Sequence, residues 1–267
     1  MEQKRALVSC LLPSGENANQ LARAILCYQQ QTWKDKELII IHDKPWDIGP
    51  LLEDIPAAEL HYIRTGTGVG DEAAEPESDP GRIKNMGLEK ATGEFVIHWN
   101  ASDWHHPERI RQQVAWLDGD VRISWMAGTL LHIDHPELVH HPYVDTPKGG
   151  YGGSLIHVND PSKRYPSDQR DPDHSFLSLW DDDDARMMEA SHAWLVVRSL
   201  QGDSRNRRRF YAGLRKGSSD FTRWMWLKLR GRDRLSHARF RLSAEAQESF
   251  RRYLQESRRL GLITSIA

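Results

Sequence analysis

The chain has little cysteine and no long hydrophobic run. Of 267 residues only Cys10 and Cys27 are cysteine, and both sit in apolar surroundings. That excludes a disulfide framework and predicts reduced core thiols in a cytosolic protein. No apolar stretch approaches the ~20 residues that a membrane span needs. The apolar run at residues 6–12 is not followed by a small-residue cleavage site, so it reads as a first strand and not as a signal peptide. There is no internal repeat. Hydrophobic residues at 39% and charged residues at 28% exclude a collagen-like or wholly disordered chain. The length fits one large domain, or one domain with an appendage, able to bury a sizeable core.

Charge is unevenly spread. Residues 201–267 hold 17 basic and 6 acidic side chains, a net of +11, whereas residues 1–200 hold 19 and 32, a net of −13. An acidic body with a basic C-terminal quarter points to an anionic partner without naming it.

The first hundred residues alternate between short apolar runs and helical periodicity. Strands are predicted at 6–12, 37–43, 60–64 and 94–99. A helix follows the first strand, with Leu21, Ala24, Ile25 and Tyr28 on one face and Asn17 as its cap. A second helix spans about 82–90 and stops at Gly93. Between them lies a Gly- and acid-rich loop at 65–80. This alternation means parallel strands covered by helices, an α/β fold. Ligands bind such sheets at the carboxyl ends of the strands, which directs attention to residues 13–15, Asp43, Thr65 and 100–104. Further on, a helix is expected at 107–117, a strand over 122–133, a loop over 140–153, a short strand at 153–158, a helix at 173–179 and a last strand at 193–198. Beyond Gly202 the chain reads as basic and helical, with Ala246, Phe250, Tyr253 and Leu254 forming an apolar stripe.

Three stretches together resemble a family 2 glycosyltransferase of the GT-A fold, over roughly residues 6–118. The first is Val8-Ser-Cys-Leu-Leu-Pro-Ser14 with Gln31-Thr32-Trp33 and the strand ending His42-Asp43. The second is Lys84-Asn85-Met86-Gly87 with Ala91-Thr92-Gly93-Glu94. The third runs from His98 through Asn100-Ala101-Ser102-Asp103-Trp104 to Arg109. The resemblance implies a mixed, mostly parallel sheet flanked by helices in residues 1–202, with 1–104 the nucleotide-sugar half and 105–202 the acceptor half. Residues 203–267 are then a basic helical extension.

It also implies an activity: inverting transfer from a nucleotide-diphosphate sugar to a glycan or lipid-linked hydroxyl. Carried over residue by residue, Pro13 and Ser14 line the nucleotide pocket and Asp43 contacts the base, with His42 where the family has a first aspartate. Lys84 stands near the donor. Asn100 and Ser102 replace the Asp-x-Asp carboxylates, and Asp103 follows them as the remaining metal ligand. Asp173 is the general base. The family's late metal-binding His is absent around Arg198. Mn²⁺ or Mg²⁺ wants hard carboxylate oxygens, so this donor set is weakened. Arg198 and Arg205 are candidates to neutralise the diphosphate in its place, and activity is then expected to survive chelator. The alternative is a catalytically degenerate protein of the same fold that binds without turnover.

Simpler roles compete at each position. Asp43 could be a turn residue, and Asp103 and Asp173 could be helix caps. The run 181–184 reads as a solvated acidic turn, since adjacent side chains do not converge on one ion. The pairs His105-His106 and His140-His141 meet the same objection. The tail around Phe221-Thr-Arg-Trp-Met-Trp-Leu-Lys-Leu-Arg230 mixes aromatics with cations as membrane-surface helices do. No nucleic-acid module accompanies the charge.

Overall fold

A computed structural model describes residues 6–65, 79–167, 171–213, 218–237 and 240–265; most of the acid-rich loop expected at 65–80 lies outside them. In chain order the first elements are β1 (Val8–Pro13), α1 (Ala18–Gln29), β2 (Lys36–His42), α2 (Gly49–Leu52), β3 (Leu60–Arg64), α3 (Pro80–Leu88) and β4 (Phe95–His98). Asn17 caps α1 by accepting from the backbone N–H of Asn19 and Gln20. Strands β1, β2, β3 and β4 run parallel in the spatial order β4-β1-β2-β3, so their carboxyl ends share one edge. Successive residues of β1 and β2 point to opposite faces. Cys10, Leu12, Leu38 and Ile40 pack on one side, and Leu11, Ile39 and Ile41 on the other. Both cysteines are free and buried, and burial pushes their thiols up to about 12. Helix α3 lies directly on β1 and β2 because residue 87 is glycine: a Cβ there would stand 2.0 Å from Leu11 Cδ1.

The later elements are β5 (Asp103–His105), α4 (Arg109–Val114), β6 (Ile123–Met126), β7 (Thr129–Asp134), β8 (Tyr143–Asp145), β9 (Tyr151–Val158), α5 (Pro172–Leu177), β10 (Ala185–Met188) and β11 (Val196–Gln201). The parallel strands continue through antiparallel β9 into β6 and β10, making a seven-stranded sheet. A second sheet has the order β5-β11-β7-β8.

The sequence reading did not include α2, β5 or β10, and three further stretches fold otherwise than expected. Residues 122–133 form two strands in different sheets. The chain breaks between them where Ala127 N–H bonds Met188 O at 2.8 Å and Gly128 passes so close that a Cβ would be 3.0 Å from Asp145 O. The stretch expected as a loop at 140–153 contains β8 and the start of β9. The last strand begins at Val196, after a 3₁₀ segment Ala190–Leu195.

Beyond β11 come α6 (Ser204–Gly213), α7 (Ser218–Leu229) and α8 (Ala244–Arg259). Ser243 caps α8. Its stripe of Ala246, Phe250, Tyr253 and Leu254 joins the same core as Leu12 and Trp104. Polar contacts fasten it further. Trp104 Nε1 donates to Glu256 at 2.6 Å, and Arg23, fully buried, reaches Ser257 at 2.9 Å and the carbonyl of Ser102 at 2.7 Å. The basic C-terminal quarter thus contributes its last helix to the main core.

Several core histidines are uncharged. Burial holds the imidazoles of His132 and His157 at about 4 and that of His98 well below its ordinary value. An unfolded chain protonates them near 6.5. Their contribution is therefore complete above about pH 6.5 and is lost as pH falls toward 4, by up to about 3 kcal/mol for His132 or His157. The melting temperature is expected to drop between about pH 7 and pH 5; equal values at both pH would contradict this.

Candidate active site

The carboxyl ends of β1, β2 and β4 bring the first and third motifs together. Gly15 takes φ +68°, and a Cβ there would sit 3.2 Å from the Cβ of Ala101, so the exit of β1 abuts the turn after β4. Ser14 is buried and its hydroxyl bonds His42 Nδ1 at 2.9 Å, while His42 Nε2 bonds the carbonyl of Trp46 at 2.7 Å. The residue at the first aspartate position is therefore a strut between two loops. Asp43 follows on the same edge, 3.4 Å from Lys44, which also pairs with Glu16. Pro13 ends the β1 ladder opposite Ile41. No contact joins Asp43 to Asp103 or Asp173 among the described residues.

Asp103 lies in β5, 3% exposed. Its Oδ2 accepts from the Tyr151 hydroxyl at 2.6 Å and from Asn100 Nδ2 at 3.3 Å, and the Asn100 amide also meets Tyr151 at 2.7 Å. Burial raises the carboxyl above its ordinary value, against the pull of the Tyr151 hydrogen bond and of Arg198. This side chain is no helix cap. Arg198 is its cross-strand neighbour in β11. The guanidinium stacks on the Tyr151 ring 4.4 Å from the centroid and pairs with Asp145 at 3.4 Å. Ser102 is exposed. Arg205 is exposed on α6, and among the described residues no hydrogen bond or ion pair joins it to Arg198.

Asp173 stands on the other flank of the same strand start. A Cβ at Gly152 would lie 2.6 Å from the Asp173 Cβ, and one at Gly153 would lie 2.4 Å from Asn100 Nδ2. The Tyr-Gly-Gly opening of β9 thus lets Asp103 and Asp173 approach one place. Asp171, not Asp173, caps α5, accepting from His174 N–H at 3.2 Å. Asp173 Oδ1 is held by Lys84 Nζ and by the Tyr165 hydroxyl at 3.1 Å. Tyr165 in turn bonds His98 Nδ1 at 3.0 Å. His98 lies 3.9 Å from the same oxygen but is kept neutral by burial and by Lys84, so it is a hydrogen-bonding prop and not an ion-pair partner. Asn85 clamps Tyr165 from both sides, donating to its carbonyl at 3.0 Å and accepting from its N–H at 2.8 Å.

The second motif is now intelligible. Lys84 reaches Asp173, Asn85 pins the segment carrying Tyr165, and Gly87 seats the helix. Thr92 and Gly93 are structural, bonding Glu37 and Ser9. Tyr151, Tyr165 and Asp145 were not singled out from the sequence. The glycines around Tyr151 were a usable signal of close approach; Tyr165 and Asp145 carried none.

The donor set does not fit a divalent cation. Asp103 already accepts two hydrogen bonds on one oxygen, the Asn100 amide nitrogen faces it, and Ser102 adds only a hydroxyl. Among the described residues no group of three or more His, Cys, Asp or Glu side chains stands together. The run at 181–184 is a turn with Asp181, Asp182 and Asp183 exposed. His105 turns inward to Arg109 at 2.6 Å, while His106 bonds Glu108 N–H.

The sequence matches no family model. A curated relative is the amylovoran biosynthesis glycosyltransferase AmsB of Erwinia amylovora, 22% identical over 110 residues, 41% of this chain and 35% of that protein. Two solved structures share the fold. One is S. aureus TarS 1–349 in complex with UDP-GlcNAc, at 12% identity and TM-score 0.51, covering 72% of this chain and 58% of that one. The other is the mannosyltransferase PcManGT from Pyrobaculum calidifontis in complex with GDP-Man and Mn²⁺, at 15% identity and TM-score 0.50, covering 96% and 76%. This chain therefore spans little more than half of the TarS 1–349 chain and about a third of AmsB. The likeness is one of fold: a mixed, mostly parallel sheet flanked by helices, the GT-A glycosyltransferase fold.

Proposed function

We propose that the chain transfers a sugar from a nucleotide-diphosphate sugar to a hydroxyl of a glycan or lipid-linked acceptor, with inversion. The observation that carries this reading is the convergence of Asp103 and Asp173 on the start of β9. The relatives of known name support a sugar donor: TarS holds UDP-GlcNAc and PcManGT holds GDP-Man. The donor lies along the strand edge, with Pro13 and Asp43 at the nucleotide, Ser14 buried behind them against His42, and Lys84, Asn100, Ser102 and Asp103 toward the diphosphate and sugar.

Asp173 is the general base. Lys84 and Tyr165 hold its Oδ1, and the carboxylate so positioned takes the acceptor proton. The acceptor oxygen then attacks the anomeric carbon as its bond to the diphosphate breaks. The negative charge growing on the leaving group needs a cation or fixed donors. Arg198, beside Asp103, supplies a guanidinium with geometry suited to phosphate oxygens. The chemistry is thus cation-independent, and Arg205 is a more distant contributor from α6.

Calorimetry with a panel of UDP- and GDP-sugars tests the reading. One of them is expected to bind, and transfer or slow donor hydrolysis is expected to persist in EDTA. Arg198→Ala should weaken the donor about tenfold to a hundredfold, the worth of a charged hydrogen bond. Turnover abolished by EDTA and restored by Mn²⁺ would overturn the cation-independent part. Failure of every nucleotide to bind would favour the non-catalytic binding protein instead.

A further inference from the structure

Helix α7 carries Phe221, Trp224, Met225, Trp226, Leu227 and, at its end, Leu229, yet joins none of the hydrophobic clusters among the described residues. Phe221, Met225 and Leu229 follow one another along one face at intervals of four, with Trp226 beside them. Phe221 is 47% exposed, Trp226 52% and Leu229 78%, so this face is open. Residues 221–232 also carry four cations, Arg223, Lys228, Arg230 and Arg232, with one acid on either side, Asp220 and Asp233. Two of these sit one helical turn after a tryptophan and lie over its ring. Lys228 stands 5.4 Å from the Trp224 centroid, and Arg230 stands 3.3 Å from that of Trp226. Charge and ring are thereby presented together, the cation at the rim of the apolar surface.

We propose that α7 is a peripheral docking helix for an anionic lipid surface. Two features favour a bilayer over other anionic partners. A bilayer interface takes up Trp, Phe and Leu into the acyl boundary while cations stay among the headgroups, and adjacent rings and cations suit that gradient. A nucleic-acid backbone would use the cations but would leave Leu229 and Phe221 in water. No helix among the described residues is long and apolar enough to cross a membrane, so the contact is one of lying on the surface. The inference stands apart from sugar transfer, because it uses neither donor nor acceptor.

The test is cosedimentation of the full chain with phosphatidylcholine vesicles, with and without about one third phosphatidylglycerol. Binding is expected to the anionic vesicles, with a blue shift of tryptophan emission, and to weaken as salt is raised. Arg230→Gln should lower the partition constant about fivefold, and Leu229→Glu should abolish partitioning. Leu229 is so exposed that this variant should melt with the wild type, which confirms that the fold is kept. The proposal fails if the chain ignores anionic vesicles, if it binds neutral ones equally, or if Leu229→Glu binds unchanged. It also fails if gel filtration shows a dimer that this substitution dissolves, or if a DNA duplex binds more tightly than the vesicles. The Asp173→Asn variant should partition as the wild type does, so loss of transfer chemistry and loss of docking remain separate outcomes.

Discussion

Asp173→Asn is expected to lower turnover by about a hundredfold to ten-thousandfold, the usual worth of a positioned general base, while donor affinity changes little. Asparagine keeps the shape that packs against Gly152 and can still accept from Tyr165, so the pocket is retained. It cannot take a proton from the acceptor. It also removes the charge that pairs with Lys84, leaving that ammonium facing a neutral amide. Steady-state kinetics should show kcat and kcat/KM falling together, the pattern of an interaction made in the transition state. Unchanged turnover would remove Asp173 from the mechanism. Weakened donor binding at unchanged kcat would make it a binding residue.

The second large effect is on stability. Trp104→Ala should destabilise the fold by about 3–5 kcal/mol, the range for emptying a large buried aromatic. Trp104 is fully buried, and its indole N–H is a 2.6 Å partner of Glu256. Its loss opens a cavity between β5, α1 and α8 and leaves the buried Glu256 carboxylate with one partner fewer. Against a total of about 5–15 kcal/mol for an ordinary domain, the change is large. Urea unfolding measures it directly. A loss under about 1 kcal/mol would mean that α8 is held mainly by other contacts. Trp104→Phe separates the two contributions, since it keeps most of the apolar volume and removes only the N–H.

The first hundred residues were the most legible. β1, β2 and β4 are short apolar runs bounded by turn residues, and parallel strands buried on both faces look like that in any context. Local chemistry also placed Asn17 at its cap. The second half resisted for a physical reason. Residues 122–133 are apolar on both sides of Gly128, and only contacts with Met188 and Asp145, far along the chain, decide that the run splits between two sheets. β5 is three residues long and owes its existence to pairing with β11. Asp173, Lys84, Asp103 and Arg198 were singled out by their motifs or positions, and the structure groups them in two neighbouring clusters. Tyr165 and Tyr151 were not found, because a tyrosine earns its role from the groups that surround it. The cap at α5 illustrates the same limit: the sequence offered Asp173 for that role, and the hydrogen bond from His174 N–H gives it to Asp171.

The fastening of α8 has a kinetic side. The bond from Arg23 to Ser257 joins positions 234 residues apart, and that from Trp104 to Glu256 joins positions 152 apart. Contacts this remote must wait for large loops to close, which slows the search for the native arrangement. Until α8 arrives, the face of His132 on which the Phe250 ring sits is uncovered, and Arg23 is a charge without its Ser257 partner. Refolding from urea should therefore include a late phase in which the sheet is already formed and that side is still uncovered, the interval in which the chain is most prone to aggregate.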